Sequence, residues 1–167
     1  MNFAQVIERY RTQTISERDK GTRFERLIRG YFLTEPLYKT TIETVWLWSD
    51  FPYRDDFGGK DIGIDLVAKT YDGEYWSIQC KCYAENAYID KAAVDTFIST
   101  TGKRFRNDDL VSQSFSRGLF VATSRNLSAT VNEAFTNQQI PYNIITLDKL
   151  ESAPVDWLQL DKNIHGD

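Results

Sequence analysis

The stretch that decides the fold reads Ile62-Gly-Ile-Asp-Leu-Val-Ala-Lys69, Thr70-Tyr-Asp-Gly-Glu74, Tyr75-Trp-Ser-Ile-Gln-Cys-Lys-Cys82. Its first and last segments are rich in β-branched, aromatic and aliphatic residues that alternate with polar ones, which is typical of strands. The Asp72-Gly73 pair between them is a strong signal for a tight turn. The sequence therefore predicts a β-hairpin over residues 62–82.

The register of this hairpin follows from its loop. A two-residue loop at Asp72-Gly73 would set the apolar row of one strand against the polar row of the other. A three-residue loop, with Gly73 at positive φ in a bulge, sets like against like, and a one-residue slip would turn every side chain to the wrong face. The pairs that this loop predicts are Ile64 with Cys80, Leu66 with Ile78, and Ala68 with Trp76.

Polar side chains gather on the opposite face, where Asp65 is expected opposite Gln79, with Lys81 beside it. Phosphodiester hydrolysis needs a divalent cation held by oxygen ligands, an activated water, and positive charge near the reacting phosphate. The Asp65 carboxylate, the Gln79 amide oxygen and the Cys80 backbone carbonyl can be such ligands. Lys81 can orient or deprotonate the attacking water and offset developing charge. The alternative is a cross-strand ion pair of Asp65 with Lys81 on a solvated face, and spacing alone leaves both open.

The composition is that of one compact domain, with 167 residues of which 41% are hydrophobic. No apolar run approaches the ~18 residues of a membrane span, and the N-terminus lacks a signal-peptide stretch, so we expect a cytoplasmic protein without membrane contact. Cys80 and Cys82 lie two apart on one strand, as expected of buried thiols in a reducing compartment, and the single His165 leaves a zinc cluster without ligands. The net charge of −4 argues against tight binding of nucleic acid by this domain alone, but not against a nuclease delivered to its substrate.

Helical and strand periodicities alternate along the rest of the chain. The predicted elements are a helix over 3–18, a helix capped by Thr22 with Glu25 completing a capping box, a strand over 40–48, a helix over 89–101 capped by Asp90, a basic loop over 102–117, a buried strand over 117–124, a helix after Ser128, and a strand over 142–147. This order fits an α/β (α+β) fold, in which a mixed sheet with an antiparallel hairpin is flanked by helices on both faces.

At these positions the sequence resembles the PD-(D/E)XK nuclease superfamily and, within it, the Mrr-like restriction endonuclease branch. Gly63-Ile-Asp-Leu-Val67 resembles the first half of the motif, and Gln79-Cys-Lys81 the second half in the Gln form that this branch uses. Gly21-x-x-Phe-Glu-x-Leu27 is similar to the leading helix of the branch, whose Glu approaches the metal. Gly118–Ser124 and Ile144–Leu150 are similar to its closing β-α-β unit.

The resemblance implies a restriction-endonuclease-like fold and a Mg²⁺-dependent endonuclease, with Mn²⁺ as an alternative ion. The catalytic residues that it implies are Asp65, Gln79, Lys81 and Glu25, and the metal ligands are Asp65, Gln79 and Cys80. Gln79 stands where the motif more commonly has a carboxylate, so Glu25 or Asp61 is expected to supply the missing charge. Each of these two acids has a structural alternative, Glu25 in the helix capping box and Asp61 as a turn residue.

The chain is also similar to the amino-terminal nuclease module of single-chain, ATP-dependent Type ISP restriction–modification enzymes. The expected parts are an N-terminal helix over 1–20, the nuclease domain over 20–152, and a tail or linker over 153–167. The resemblance implies that a helicase-like ATPase, a methyltransferase and a target-recognition domain share the full-length chain in a bacterial cytoplasm, and that this part binds duplex DNA only weakly. Four arginines are candidates for contacting DNA, namely Arg104, Arg106, Arg117 and Arg125. A Holliday-junction resolvase, a methylation-dependent Mrr-type nuclease and a catalytically silent interaction domain stay open as alternatives.

Overall fold

The structure, a computed structural model, describes residues 2–13, 15–58 and 62–166. The helices in these ranges are α1 Phe3–Gln13, α2 Glu17–Thr34, α3 Pro36–Lys39, α4 Lys91–Thr101, α5 Ala129–Ala134, α6 Leu147–Ser152 and α7 Trp157–His165. The strands are β1 Ile42–Leu47, β2 Leu66–Thr70, β3 Tyr75–Lys81, β4 Arg104–Arg106, β5 Ser112–Ala122 and β6 Tyr142–Ile145. Within the described ranges no helix is both long and apolar enough to cross a membrane.

The strands form one six-stranded mixed sheet in the order β1-β2-β3-β5-β4, with β6 also paired to β5. β1, β2 and β3 are antiparallel neighbours, and β4 is antiparallel to β5. β3, β5 and β6 are parallel, because α4 and α5 are the crossover helices that connect them. This arrangement confirms the predicted α/β (α+β) class.

The hairpin of β2 and β3 has the predicted register where the two strands pair. Gly73 ends the three-residue loop with φ +84°, as the bulged turn requires. The confirmed pairs are Leu66 with Ile78 and Ala68 with Trp76.

The ladder of this hairpin ends one pair earlier than predicted. Beyond Leu66 the backbone N–H of Cys80 donates to the carboxylate of Asp65 at 2.8 Å. The predicted pairing of Ile64 with Cys80 is thus replaced by a bond to a side chain. We call the place where β2 and β3 separate, at Asp65 and Cys80, the fork.

Two hydrophobic cores lie on opposite faces of the sheet. The first contains buried side chains of α1, α2 and α7 together with the apolar row of the hairpin. The second contains side chains of α4, α5 and the segment 51–57, together with Val67 and Tyr75 of the hairpin. The face of the hairpin that was expected to be polar is therefore buried, with Ser77 0% and Gln79 4% exposed.

Helix α2 begins earlier than the sequence predicts. Its N-cap is Ser16, whose hydroxyl accepts a hydrogen bond from Asp19 N–H at 3.1 Å. The helix predicted over 3–18, the break that follows it and the capping box of Thr22 with Glu25 are therefore wrong. Glu25 lies in the interior of α2, and its side chain has no capping role to fill.

The segment 102–117, predicted as a basic loop, instead forms a second hairpin. In it β4 pairs with the start of β5, Arg104 with Ser114 and Arg106 with Ser112. Phe105 between the two arginines is 1% exposed and belongs to the second core. Burial of this ring holds β4 against the domain.

The segment 153–167, expected as a tail or linker, contains helix α7. Trp157 is fully buried against aromatic rings of α1 and α2. Asp161 is also buried, and its carboxylate accepts hydrogen bonds from Tyr10 at 2.5 Å and from Arg9 at 3.1 Å. α7 thus packs onto the first core, while the domain boundaries expected from the resemblance stay a prediction.

Candidate active site

An open cleft of about 580 Å³ lies between the N-terminal half of α2 and the fork of the hairpin. Helix α2 contributes Glu17, Arg18, Lys20, Gly21, Thr22 and Glu25 to its lining, and the hairpin side contributes Gly63, Asp65, Gln79, Cys80, Lys81 and Cys82. The residues predicted as catalytic or metal-binding therefore line one cleft, apart from Asp61, which lies outside the described residues.

Asp65 is fixed at the fork through its backbone and its side chain. Its N–H donates to Ile78 O at 2.9 Å, and its carbonyl accepts from Trp48 N–H at 2.8 Å. Its Oδ2 accepts the Cys80 N–H described above. The carboxylate occupies the place that a backbone carbonyl would take in a continued ladder, and a charge-assisted bond holds its orientation.

Gly63 sets the direction in which the chain enters the fork. Its φ of +82° lies in the left-handed region that favours glycine. A Cβ at this position would lie 3.1 Å from Thr96 Cγ2 of α4 and 3.6 Å from Gln79 Oε1. The glycine therefore lets the chain that carries Asp65 pass close to α4 and to the Gln79 amide.

Gln79 carries a buried oxygen that the fold leaves unsatisfied. The side chain is 4% exposed, and in the described ranges Oε1 has no hydrogen-bond partner. Such an acceptor costs about 1–3 kcal/mol when it stays without a partner. An amide oxygen of this kind, in the lining of a cleft beside a carboxylate, fits a ligand of a hard cation.

The Cys80 carbonyl is directed to the same place. The N–H and the C=O of one strand residue point toward the same neighbouring strand, and the Cys80 N–H is bonded to Asp65. In the described part of the chain no group of three His, Cys, Asp or Glu side chains is arranged to hold a metal. A cation in this cleft would therefore depend on amide and carbonyl oxygens beside the carboxylates.

Glu25 approaches the fork from α2. Burial raises the pKa of the Cys80 thiol well above its usual value, and the negative charges of Asp65 and then Glu25 raise this pKa further. Both carboxylates therefore lie near the same thiol, on the two sides of the cleft. Glu25 is partly buried, as expected of an acid that faces a cleft rather than open solvent.

Lys81 is the last residue of β3 and is partly exposed. Its backbone carbonyl accepts a hydrogen bond from Thr123 N–H at 3.1 Å, which fixes the end of the strand against β5. Among the described residues no ion pair involves Lys81, so the alternative of a cross-strand pair with Asp65 is wrong. Its ammonium group is available to a ligand in the cleft.

The sequence reasoning missed a second lysine in the cleft. Lys20 is 8% exposed, and its Nζ lies 2.9 Å from Glu17 Oε1. The predicted break at residues 18–21 placed this lysine in a loop. With Ser16 as the N-cap, the helical spacing brings it to the side of α2 that borders the cleft.

The structure places three of the four candidate arginines away from the cleft. Arg117 pairs with Trp76, which lies five residues before Lys81 on β3, a distance of roughly 16 Å at ~3.3 Å per residue. Its guanidinium packs on the Trp76 ring at 5.5 Å from the ring centre. Arg104 and Arg106 lie farther along the same direction on β4. Their role toward DNA stays a prediction.

Arg125 lies at the other end of β5, the end nearer the cleft. It forms ion pairs of 2.9 Å with Asp148 and Glu151. It also lines a separate pocket of about 350 Å³ beside α1, to which Arg11 contributes. Both acidic partners neutralise its charge in this arrangement.

Comparison with known proteins agrees with this geometry. In the solved structure of the ATP-dependent Type ISP restriction–modification enzyme LlaBIII bound to DNA, a segment matches 92% of this chain at 27% identity, with a TM-score of 0.67. The match covers 9% of that enzyme. No curated protein sequence matches the chain. Residues 33–166 match the family model for the Mrr-type catalytic domain described as a restriction endonuclease, and the chain therefore belongs to the restriction endonuclease family.

Proposed function

We propose that this chain is a metal-dependent DNA endonuclease domain that acts as the nuclease module of a larger restriction–modification enzyme. The observation that carries the proposal is the convergence of Asp65, Glu25 and Lys81 on one cleft, around the unsatisfied Oε1 of Gln79. Membership of the restriction endonuclease family supports hydrolysis of DNA as the reaction.

The oxygen atoms at the fork fit Mg²⁺, or Mn²⁺ in its place. Asp65, the Gln79 amide oxygen and the Cys80 carbonyl would hold the ion, and Glu25 would add a second negative charge. A hard divalent ion prefers oxygen ligands and keeps several waters when few carboxylates bind it, so weak affinity is expected. When bound, such an ion lowers the pKa of a ligated water and polarises the phosphoryl group.

The side chains of the chain itself have separate roles around the scissile phosphate. Lys81 lies next to Cys80, so its ammonium can orient or deprotonate the attacking water and offset charge on the phosphate. The hydrogen bond from Cys80 N–H keeps Asp65 from rotating away from the cleft. Gly63 keeps the Gln79 amide within reach of the fork. These positions are held by backbone structure and need no rearrangement during the reaction.

The module proposal draws on the Type ISP enzyme, of which the matched segment is only a small part. We propose that a helicase-like ATPase, a methyltransferase and a target-recognition domain belong to the same full-length chain, and that the enzyme acts on duplex DNA in the bacterial cytoplasm. The net charge of −4 supports delivery of the domain to DNA by other parts.

The test is cleavage by variants of the full-length protein. Asp65→Ala and Lys81→Ala should each lower the rate by ~10²–10³ or more, since loss of one transition-state contact costs ~3 kcal/mol or more. Lys91→Ala, which removes an exposed ion pair of 2.7 Å with Asp95 on α4, is the control and should cleave normally. Calorimetric titration of residues 1–167 should show Mg²⁺ binding that Asp65→Ala removes. Wild-type cleavage by both cleft variants would mean that the fork is not the active site.

A further inference from the structure

Gly21 is a glycine in the interior of a helix with no packing reason to be one. It lies in the second turn of α2 and lines the cleft. A Cβ built on it would meet no described atom within 4 Å. Glycine weakens a helix interior relative to alanine, so this position lowers the stability of α2 without a gain in packing.

Two other glycines show what a structural reason looks like. At Gly30, in the same helix, a Cβ would lie 2.8 Å from Ile164 Cδ1 and 2.9 Å from Leu160 Cδ1 of α7. Gly63 has a positive φ that other residues rarely adopt. Gly21 has neither feature within the described residues. The remaining physical use of a glycine is to let a ligand approach the helix backbone closely.

Lys20, the neighbour of Gly21, points to the charge of that ligand. Its side chain is almost fully buried at the edge of the cleft, whereas the carboxylate that it pairs with, on Glu17, is 89% exposed. Water screens an ion pair of this kind, so it offsets little of the cost of burying an ammonium group. An anion in the cleft would supply the missing counter-charge.

We propose that Lys20 and Gly21 form a binding surface for the sugar–phosphate backbone of the cleaved DNA strand. The strand packs against the bare helix backbone at Gly21, and the Lys20 ammonium contacts a phosphate next to the scissile one. The scissile phosphate itself lies on the hairpin side, at Asp65 and Lys81. This inference rests on the proposed endonuclease function and names residues that bind and position the substrate.

The two residues predict different signatures in full-length protein. Gly21→Ala and the larger Gly21→Leu should raise KM about 5-fold and about 50-fold, because the added side chain occupies the strand's place, while kcat changes less than 3-fold. Lys20→Ala should raise KM about 10-fold to 100-fold, as expected for a lost charge-assisted bond. It should also make the slope of log K against log salt smaller by about one ion, whereas Gly21→Leu should leave this slope unchanged. Lys20→Arg should restore most of the affinity.

The stability of the same variants separates this role from a structural one. In residues 1–167, Gly21→Ala should raise Tm by about 2–4 °C, since alanine is the better helix former. A variant that is more stable and yet binds its substrate less well has lost room for a ligand, not its fold. Lys91→Ala, which removes a comparable ion pair on α4, should change neither KM nor the salt slope.

The outcomes also separate this inference from the proposed function. If the wild type cleaves in an Asp65-dependent manner, but Gly21→Leu and Lys20→Ala keep the wild-type KM, the binding surface is refuted and the endonuclease function stands. A Gly21→Ala variant that loses both stability and activity would likewise refute it, because the glycine would then have a structural role. If the wild type does not cleave at all, both proposals fail.

Discussion

Replacing Gln79 with methionine should stabilise the metal-free fold and at the same time abolish cleavage. The Gln79 side chain is 4% exposed, and among the described residues its Oε1 has no hydrogen-bond partner. Methionine has a similar length and carries no polar group that needs a partner. The substitution should therefore remove an unfavourable contribution to the free energy of folding, while it removes a ligand oxygen from the cleft.

The magnitude follows from the cost of a buried polar group without a partner, which is about 1–3 kcal/mol. For a domain of this size, 1 kcal/mol shifts Tm by about 2–4 °C, so Gln79→Met should melt at least ~2 °C above the wild type in EDTA. The matched control is Ser77→Ala on the same strand and face. Ser77 is fully buried, but its hydroxyl is bonded to Thr101 Oγ1 at 2.7 Å. Its removal leaves the Thr101 hydroxyl without that bond, so Ser77→Ala should lower Tm.

Calorimetric melting in EDTA and then in rising MgCl₂ measures both effects. An ion that binds only the folded protein stabilises it by RT ln(1 + [L]/Kd), about 1.4 kcal/mol at ten times Kd. The wild type should show this gain, and Gln79→Met should lose most of it. If Gln79→Met melts below the wild type in EDTA, as Ser77→Ala does, then Gln79 Oε1 is satisfied in the free protein and the reasoning is refuted.

Three further predictions concern the site, the core and DNA. Gln79→Glu restores the carboxylate that is commoner in the superfamily, so it should keep cleavage and bind Mg²⁺ more tightly in a calorimetric titration; weaker binding would contradict the ligand role. Tyr10→Phe removes the bond to buried Asp161, and since such bonds to charged groups contribute about 1.5–3 kcal/mol, its urea midpoint should fall, whereas Thr12→Ala on the exposed side of α1 should stay within ~0.5 kcal/mol of the wild type. Residues 1–167 alone, at net charge −4, should show little gel shift with duplex DNA at physiological salt; a tight, sequence-specific shift would contradict the delivered-module proposal.

Local chemistry was enough to predict the hairpin, but not its end. The period of two and the turn residues around Gly73 fix the register within a few residues, and the structure confirms that register. The fork depends on the Asp65 carboxylate taking the place of a backbone acceptor. Sequence patterns describe which way a side chain points, not which of two acceptors an N–H will choose. For this reason the pairing of Ile64 with Cys80 was predicted where the strands in fact separate.

The errors in the helices have a common cause in tertiary packing. Gly21 in α2 was interpreted as a breaker, because an isolated glycine lowers helix propensity without showing what lies beside it. Helix α7 was interpreted as a tail because its segment is polar, although Trp157 is fully buried against α1 and α2. Gly30 accommodates Leu160 and Ile164 of α7 at close range. Contacts between segments more than 100 residues apart leave no periodic signal in either one.

The corrected start of α2 also changes what the cleft can do. As a continuous helix it brings Glu17, Arg18, Lys20 and Glu25 to the fork, so three acids and three bases line the cleft when Asp65 and Lys81 are included. A reaction that must hold a divalent cation and a phosphodiester together needs both signs of charge in one place. The acidic character of the whole domain then affects how DNA is recruited rather than how it is cut. Chemistry and recruitment can therefore reside in different parts of one enzyme, and loss of Lys81 should impair only the chemistry.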